Sequence, residues 1–326
     1  MLQRKKTIQA KKWKIIKMEN NKNTDSNYKA GFLGIIGQPN AGKSSLMNYL
    51  IKEKISIVTS KPQTTRRRIL GLHSEASGQV VFVDAPGIVQ STTGLNSFLQ
   101  KEAEDVIRSS DSLMAVLSIS EEKIENNEEI LNMVVKSRKP WFAVITKTDL
   151  TDKLHRITLL KDLVKKHGGE AISVSIKNTT DDDRKLILDQ CLKHMPSAPA
   201  PLYDTELFTT ENVKSILEEI IREKCFEILE FEVPYQLAVQ TRKFDEEAKP
   251  CPKIYVDIII AKDTHKPIVI GKGGANIKRI GEQAREEIQK IMDVDKVYLE
   301  LNVVVKNGWF ENKTAMKDLK YVVDGK

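Results

Sequence analysis

The stretch Gly37-Gln38-Pro39-Asn40-Ala41-Gly42-Lys43-Ser44 follows an apolar run at residues 32–36 and precedes a segment that starts at Ser45 and is rich in Leu and Met. This order predicts a strand, a glycine-containing loop and a helix. The spacing matches G-x-x-x-x-G-K-[ST], a pattern that binds phosphates in that strand–loop–helix setting. The glycines let backbone N–H groups turn toward a polyphosphate, and the helix adds the positive end of its dipole. We therefore predict a phosphate-binding loop.

Three residues at the end of this loop have predicted roles in nucleotide binding. Lys43 is expected to reach the β- and γ-phosphates, and the Ser44 hydroxyl is placed to ligate Mg²⁺. Ser45 is a further candidate contact. These residues indicate a nucleoside triphosphate but specify neither its base nor a reaction.

Composition indicates a chain with room for two domains. It has 326 residues, 40% of them hydrophobic, which is enough for two cores. No run of 18 apolar residues and no signal peptide is visible. The cysteines Cys191, Cys225 and Cys251 show neither metal-ligand spacing nor an even disulfide count. We therefore expect reduced thiols and a cytoplasmic protein.

The net charge of +7 is carried by the first 29 residues, which hold nine Lys or Arg and two acids. Residues 1–29 are predicted to be a disordered basic tail. Three interpretations stay open: a solvated basic arm, an upstream start with Met18 as the true initiator, or a transit peptide. A net charge of +7 would suit nucleic-acid binding, but because the charges outside the tail cancel, such binding would depend on a local basic patch.

Residues 30–195 alternate short apolar runs with longer amphipathic segments, which predicts an α/β domain with a mainly parallel sheet and helices on both faces. A ligand is expected at the carboxyl ends of such strands. The predicted strands are 32–36, 80–83, 113–119, 141–145 and 171–174.

A Pro-rich segment, 196–207, is predicted to be an extended, semi-rigid linker. Beyond it, residues 208–326 form a predicted α+β domain. Its expected elements are a helix at 211–231, strands at 235–244 and 253–261, a helical pair around 276–292, a strand at 297–305 and an end helix near 314–319.

A second motif, Asp84-Ala85-Pro86-Gly87, follows the strand at 80–83. Asp84 is therefore expected at a strand end, as a carboxylate of the Mg²⁺ site. Gly87 can bring its N–H close to a γ-phosphate without a side-chain clash. Ile88 follows directly and is included among the nucleotide contacts.

The base is predicted from two further strand ends. Thr146-Lys147-Thr148-Asp149 follows the strand at 141–145, and the Asp149 carboxylate can accept hydrogen bonds from guanine N1 and N2, a donor pair that adenine lacks. Ser175-Ile176-Lys177 follows the next strand and can place backbone N–H groups at guanine O6. Each short motif alone fits a surface loop. Their order and placement favour a guanine nucleotide.

Together these motifs resemble those of translation-factor-class GTPases. The resemblance implies a threonine that ligates Mg²⁺ and senses the γ-phosphate: Thr65 is the better match and Thr64 the alternative. Thr146 stands where the family usually has Asn, and Ile176 where it usually has Ala. The arginines at 66–68 are expected either to face the phosphates or, as we favour, to form a solvated basic face.

The resemblance leaves the catalytic step incomplete. Ras-type GTPases orient the attacking water with a Gln where this chain has Ile88, so slow intrinsic hydrolysis is expected. Asn40 resembles the loop residue of potassium-stimulated GTPases, which implies a K⁺ site; the alternative is that Asn40 only braces the loop. The candidate catalytic residues are Lys43, Thr65, Gly87 and Asn40.

The second domain contains Gly271-Lys272-Gly273-Gly274, entered by an apolar segment and followed by a predicted helix. This G-x-x-G arrangement is typical of KH domains, in which the loop clamps about four single-stranded nucleotides. Lys272, Lys278 and Arg279 supply charge, and residues 249–281 carry seven bases and two acids. The alternatives are a plain turn and a second anion-binding loop. The element order resembles the type II KH fold.

A GTPase joined to a type II KH domain resembles the Era family over about residues 30–323. Further agreements are Gln63-Thr64-Thr65-Arg66, Glu219-Ile220-Ile221-Arg222-Glu223-Lys224, Val233-Pro234-Tyr235 and Asn307-Gly308-Trp309-Phe310. The resemblance implies GTP and GDP with Mg²⁺, binding to the 3′ region of 16S ribosomal RNA, and a role in maturation of the 30S ribosomal subunit. It also implies a monomer in the bacterial cytoplasm and peripheral contact with the inner membrane face.

Two other functions stay open at this point. One is an RNA-binding assembly factor whose nucleotide is structural and is hardly hydrolysed, which Ile88 favours. The other is an ATP-using kinase on the same fold, which Asp149 opposes.

Overall fold

The computed structural model describes residues 28–88, 94–319 and 321. The predicted basic tail lies outside the described residues up to position 27, as does Met18. Its last residue, Lys29, was assigned wrongly, because Lys29 is the first residue of strand β1 and pairs with Gly78.

The first unit is a six-stranded sheet with helices on both faces. Its strand order is β2-β3-β1-β4-β5-β6, and only the β2–β3 pairing is antiparallel. The predicted fold, a mainly parallel sheet, is therefore confirmed. The strands are β1 (Lys29–Gly37), β2 (Ile69–Glu75), β3 (Gly78–Asp84), β4 (Ser112–Ser118), β5 (Trp141–Thr146) and β6 (Ala171–Ser173). The helices are α1 (Lys43–Ile51), α2 (Gly94–Ser109), α3 (Ile124–Lys136), α4 (His155–Lys166) and α5 (Asp181–Lys193).

Two apolar cores lie on opposite faces of this sheet. Leu33 and Ile35 of β1 pack in the core with α1 and α5. Ile36 packs in the other core, with α2, α3 and α4. All of these side chains are fully buried, so β1 is held on both faces and the loop that follows it has a rigid base.

The buried side chain of Gln79 helps to attach the Pro-rich segment to this sheet. The Gln79 amide accepts from the backbone N–H groups of Leu202 (2.8 Å) and Tyr203 (2.9 Å) and donates to the Tyr203 carbonyl (2.9 Å). Further along, the Thr209 hydroxyl donates to the Leu70 carbonyl at 2.6 Å. The segment therefore follows the β2–β3 edge of the sheet.

The second unit is a three-stranded sheet in the order β7-β8-β9, with β7 antiparallel and β9 parallel to β8. Helices α6 and α8 cover one face and build its apolar core with the strands. The elements are α6 (Val213–Ile228), β7 (Leu237–Asp245), β8 (Lys253–Ile260), α7 (Lys266–Ile270), α8 (Ala275–Met292), β9 (Tyr298–Val305) and α9 (Lys313–Asp318).

The prediction of a helical pair around 276–292 was wrong, because that range is one continuous helix, α8. The apolar segment predicted to enter the G-x-x-G turn is itself the short helix α7. Pro267 in its first turn suits a helix start, and Gly271, with φ 77°, ends it.

A small apolar cluster joins the two units. Leu95 and Leu99 of α2 pack with Trp309, Met316 and Tyr321 of the second unit. Among the described residues, no helix combines the length and apolar character that crossing a membrane requires.

Candidate functional site

The predicted phosphate-binding loop connects β1 to α1 at the carboxyl end of the sheet. Asn40 (φ 60°) and Gly42 (φ 92°) are both left-handed, which produces the tight turn. At Gly37 a Cβ atom would lie 2.5 Å from the Val116 carbonyl oxygen, so only glycine fits there.

Lys43 is buried inside this turn. Its ammonium donates to the carbonyls of Gly37 (3.2 Å) and Gln38 (3.0 Å). Burial lowers the pKa of Lys43 to about 8, although the nearby Asp84 carboxylate acts in the opposite direction. A polyphosphate in the loop would add further negative charge beside this ammonium and favour its protonated form.

The outer flank of the loop borders a polar cavity of about 480 Å³. Gln38, Pro39, Asn40 and Ala41 line it, together with Lys147 and residues from β4 to α3. Gln38 donates to the Asn126 carbonyl at 3.0 Å and so ties the loop to α3. The side chain of Gln38 thus anchors this flank of the loop.

Three oxygen-bearing side chains converge beside the loop, as the magnesium prediction requires. Ser44 donates to Asp84 Oδ2 at 2.6 Å and lies 2.8 Å from the Thr65 hydroxyl. Thr64 instead donates to the Lys61 carbonyl, and its hydroxyl contacts Thr59, so it faces away from Ser44. The structure therefore favours Thr65 over Thr64 as the candidate ligand.

Asp84 fits a cation at this point. The residue is fully buried, and its Oδ1 atom is buried without a hydrogen-bond partner. Burial raises the pKa of Asp84, and the Lys43 charge and the surrounding hydroxyls oppose that effect. Ser44, Thr65 and Asp84 would hold Mg²⁺, whose charge offsets that of the phosphate oxygens when it is bound.

Sequence reasoning missed one residue of this cluster, Ser56. Its buried hydroxyl donates to Asp84 Oδ2 at 2.9 Å. Ser56 lies between α1 and Thr65 in the sequence and belongs to none of the motifs, so no sequence signal marked it.

Gly87 lies against the phosphate-binding loop. A Cβ atom there would come within 2.8 Å of the Pro39 backbone, which explains the glycine. Ile88 donates its N–H to the Gly37 carbonyl at 3.4 Å, and its side chain belongs to the core with Ala85. An apolar side chain in that position cannot orient water.

At the predicted base site, Asp149 is held by two neighbours. It accepts from the Ser175 hydroxyl at 2.9 Å and pairs with the Lys177 ammonium at 3.5 Å. Desolvation raises the pKa of Asp149, but the hydrogen bond from Ser175 and the charge of Lys177 outweigh it, so the pKa lies below its usual value. The carboxylate is therefore ionised and oriented, as a guanine acceptor has to be.

Thr146 has a different task from Asp149. Its buried hydroxyl donates to the carbonyl of Ala41 at 2.6 Å, which joins the base motif to the phosphate-binding loop. Lys147, with φ 62°, donates to the Ser120 hydroxyl at 3.0 Å. Ile176 packs against the core beside α1.

The prediction for the arginines at 66–68 was wrong, because none of them forms a solvated face or has a described contact with the phosphate loop. Arg66 is 2% exposed and donates to the backbone carbonyls of the second unit at Pro234 (3.1 Å), Tyr235 (2.8 Å) and Leu237 (2.5 Å). Arg67 donates to the Leu319 carbonyl at 2.6 Å and lies 4.8 Å from the Tyr321 ring centre. Arg68 pairs with Glu102 of α2 at 2.8 Å.

The chain before these arginines also contacts the second unit. Glu223 of α6, 1% exposed, accepts from the Val58 N–H at 2.8 Å and pairs with Lys54 at 2.7 Å. Lys54 also pairs with Glu287 of α8, and Lys61 donates to the Leu229 carbonyl. Residues 54–67 thus run from the candidate Mg²⁺ site along the second unit.

The G-x-x-G loop is open on one side. Gly271, Gly273 and Gly274 have φ values of 77°, 60° and 82°. A Cβ atom at Gly273 or Gly274 would meet nothing within 4 Å, whereas at Gly271 it would lie 2.7 Å from the Asn276 nitrogen. A phosphate backbone can therefore approach the last two glycines. The nearby cations Lys272, Lys278 and Arg279 are all exposed.

Comparison with known families places both units in one class of protein. Residues 32–147 match the family model described as 50S ribosome-binding GTPase, and residues 232–310 match the KH domain. The chain is thus a GTPase with a C-terminal KH domain. It is 38% identical to GTPase Era of Geobacter metallireducens over 91% of this chain and 99% of that protein. It is 37% identical to GTPase Era of Trichlorobacter lovleyi over the same shares of the two chains. The chain belongs to the Era family of GTPases.

Two solved structures are similar over about nine-tenths of this chain. A point variant of Aquifex aeolicus Era bound to GDP·AlF4⁻ has a TM-score of 0.83 and 29% identity, and the match covers 90% of this chain and 100% of that one. Era in complex with MgGDPNP and nucleotides 1506–1542 of 16S ribosomal RNA has a TM-score of 0.83 and 30% identity, with 91% and 100% covered. The family predicted from the motifs is confirmed.

Proposed function

We propose that this protein is a GTP-dependent switch that binds the 3′ region of 16S ribosomal RNA through its KH domain and acts in assembly of the 30S subunit. The relative solved with MgGDPNP and 16S ribosomal RNA supports the ligands. We take residues 30–195 as the GTPase domain, 196–207 as the linker and 208–326 as the RNA-binding domain. We expect a monomer in the bacterial cytoplasm; peripheral membrane contact stays an implication of the resemblance.

The observation that carries the switch is the position of Arg66 next to Thr65. The Thr65 hydroxyl lies 2.8 Å from Ser44 at the nucleotide site, while the Arg66 guanidinium is bound to the carbonyls at the start of β7. Because these residues are consecutive, a shift of Thr65 between GTP and GDP states has to move or strain the Arg66 contact. The nucleotide thereby sets how the KH domain is held.

A second contact supports the same coupling. Helix α2 follows Gly87 in the chain, and the N–H of Leu95 donates to the Phe310 carbonyl at 3.0 Å. Leu95 and Leu99 pack against Trp309 and Tyr321. Both segments predicted to sense the γ-phosphate therefore continue into contacts with the second unit.

The switch is tested by Arg66→Ala, with affinity for a 16S 3′-end fragment measured in GDPNP and in GDP. We expect the two affinities to differ by about tenfold in the unmodified chain, a usual size for such coupling, and to converge in the variant. Arg66→Lys keeps the charge but loses the planar guanidinium, so the difference between its two affinities should be intermediate between those of the unmodified chain and Arg66→Ala. Arg68→Ala is the control, because its partner Glu102 lies in the GTPase unit. Undiminished nucleotide dependence in Arg66→Ala would refute the proposed switch.

RNA binding itself is tested at the G-x-x-G loop. Replacing Lys272 and Gly273 by Asp should abolish binding of the RNA fragment, because two negative charges would face the phosphate backbone, and should spare GTP affinity. Unchanged RNA binding would exclude the KH loop as the site.

For catalysis we propose that K⁺ binds beside Asn40. The Asn40 Nδ2 group donates to the Ser60 carbonyl at 3.1 Å, which fixes this amide beside the loop, and the amide oxygen Oδ1 is the atom that would ligate K⁺. The same bond fits the alternative, in which Asn40 braces the loop against the switch segment. The rate of GTP hydrolysis measured in K⁺ and in Na⁺ separates the two hypotheses. Equal rates would mean that Asn40 only braces the loop.

The alternative of a structural nucleotide follows from Ile88, which cannot orient water. Single-turnover hydrolysis with and without small ribosomal subunits tests it. We expect subunits to accelerate hydrolysis; negligible turnover in both conditions would favour the structural nucleotide.

A further inference from the structure

Ser56 occupies a defined place beside the candidate Mg²⁺ site. Its hydroxyl is 2.9 Å from Asp84 Oδ2, which also accepts from Ser44 at 2.6 Å. Both lone-pair directions of Oδ2 are thereby used, and Oδ1 is left buried without a partner. The pair of hydroxyls fixes the rotation of the carboxylate, and so fixes where Oδ1 points.

Ser56 is itself held rigidly by Asn48 of α1. The Asn48 side chain accepts from the N–H groups of Ile55 (3.1 Å) and Ser56 (3.0 Å) and donates to the Ser56 carbonyl (2.7 Å). An amide that pairs with both backbone groups of one residue leaves that residue little freedom. The Ser56 hydroxyl is therefore presented by α1, the helix that also carries Ser44.

We infer that Ser56 is a positioning residue for Mg²⁺: it orients Asp84 so that the free carboxylate oxygen faces the cation. The inference rests on the proposed nucleotide site. Ser44 and Thr65 are candidate ligands and have a second use when Mg²⁺ is bound, whereas Ser56 only orients Asp84. Without Ser56 the carboxylate keeps its charge but loses the bond that sets its rotation.

The same segment connects this orientation to the KH domain. Two residues before Ser56, Lys54 pairs with Glu223; two residues after it, the Val58 N–H donates to the same carboxylate. Ser56 is thus centred on the stretch that Glu223 holds from α6.

The test is Ser56→Ala in the full chain, with binding of a fluorescent GDPNP analogue measured over a range of Mg²⁺ concentrations and in EDTA. We expect the Mg²⁺ concentration for half-maximal stabilisation of the complex to rise about tenfold, the usual size for a lost hydrogen bond to a charged group. Binding in EDTA should stay unchanged. Asn48→Ala should shift the Mg²⁺ dependence in the same direction, because it releases Ser56 while keeping its hydroxyl.

Ser112→Ala is the matched control, since Ser112 is also fully buried but its hydroxyl has no hydrogen-bond partner among the described residues. It should leave the Mg²⁺ dependence intact, and melting temperatures of all variants report folding. An unaltered Mg²⁺ dependence in Ser56→Ala overturns the inference, and so does a parallel loss of binding with and without Mg²⁺. If the unmodified chain shows no Mg²⁺ dependence, the proposed nucleotide site fails instead.

Discussion

Single residues show where the chain accepts strain. Phe231 has a backbone φ of 54° and is 82% exposed, so a bulky side chain occupies a left-handed conformation with little burial in return. That conformation costs a non-glycine residue about 1–2 kcal/mol. The loop between α6 and β7 imposes it.

Phe231→Gly should therefore stabilise the protein by about 0.5–1 kcal/mol, after subtracting the larger unfolded-state entropy of glycine. Urea unfolding measures the change. Phe231→Ala is the control: it removes the ring but keeps the strain, so it should give little gain. Equal stabilities for Ala and Gly would show that strain is not the cause.

Thr146 and Asp149 make separable contributions to nucleotide binding. Thr146→Ala leaves the Ala41 carbonyl without its buried hydrogen-bond donor, which costs about 1–3 kcal/mol of free energy. The phosphate-binding loop should be less rigid as a result. Affinity for GTP should fall, together with any residual affinity for ATP. Asp149→Asn should reduce GTP affinity alone, because it removes only the guanine acceptor.

Competition binding with the two nucleotides measures both variants. A selective loss of GTP binding in Thr146→Ala would mean that Thr146 reads the base rather than braces the loop.

At the scale of helices and strands, α6 protects a thiol. Cys225 is fully buried, and burial raises its pKa to about 12, although the charge of Arg222 acts in the opposite direction. At pH 8 almost no thiolate forms in the folded state, so alkylation should require opening of the α6–α8 core. Cys191 on α5 is likewise buried, with its pKa raised by that burial.

Iodoacetamide labelling with mass spectrometry tests this protection. We expect slow modification of Cys225 in the native protein and rapid modification in urea. Rapid native labelling would contradict the buried position of α6.

The sequence predicted those strands that are marked by a continuous apolar run of their own. Continuous apolar runs located β1, β3, β4, β5 and β6 to within a few residues. β2 was missed because Gly71 and His73 interrupt its apolar residues, and its pairing with β3 defines it instead. The contacts of Arg66 could not be predicted, since the carbonyls it binds lie 168 to 171 positions away.

On the scale of the whole molecule, an ionic cluster joins the two units. Lys54 of the first unit pairs with Glu223 and Glu287, and Lys224 pairs with Glu223, Glu227 and Glu287. Desolvation raises the pKa of Glu287, but hydrogen bonds from Lys54 and Lys224 outweigh it, so the pKa is lowered overall. Desolvation lowers the pKa of Lys54, but its hydrogen bonds to Glu223 and Glu287 outweigh that effect, so the pKa is raised overall.

The signs of these shifts define a pH window. Because the pKa of Glu287 is lowered, this carboxylate stabilises the folded state at pH values above 4.5. That contribution is lost as the pH falls through the pKa of the folded state. Because the pKa of Lys54 is raised, this ammonium stabilises the folded state at pH values below 10.5. That contribution is lost as the pH rises through the pKa of the folded state. The cluster should therefore contribute evenly from about pH 5 to 10.

Thermal unfolding of Glu287→Gln and the unmodified chain across this range measures that contribution. The difference in stability should be constant inside the window and shrink below it. A difference that changes strongly near neutral pH would point to another titrating group.

The hydrogen bonds that Gln79 and Thr209 make between the sheet of the first unit and the chain just before α6 limit how far the KH domain can travel. Only residues 210–212 lie between the Thr209 bond to Leu70 and the start of α6. Three residues span at most about 11 Å. Even with every contact beyond the Thr209 bond broken, the KH domain would stay near its docking face at an effective concentration of about millimolar or more. Nucleotide exchange would thus rotate the KH domain about its attachment instead of releasing it from the GTPase unit. Its return to the docked position would not depend on protein concentration.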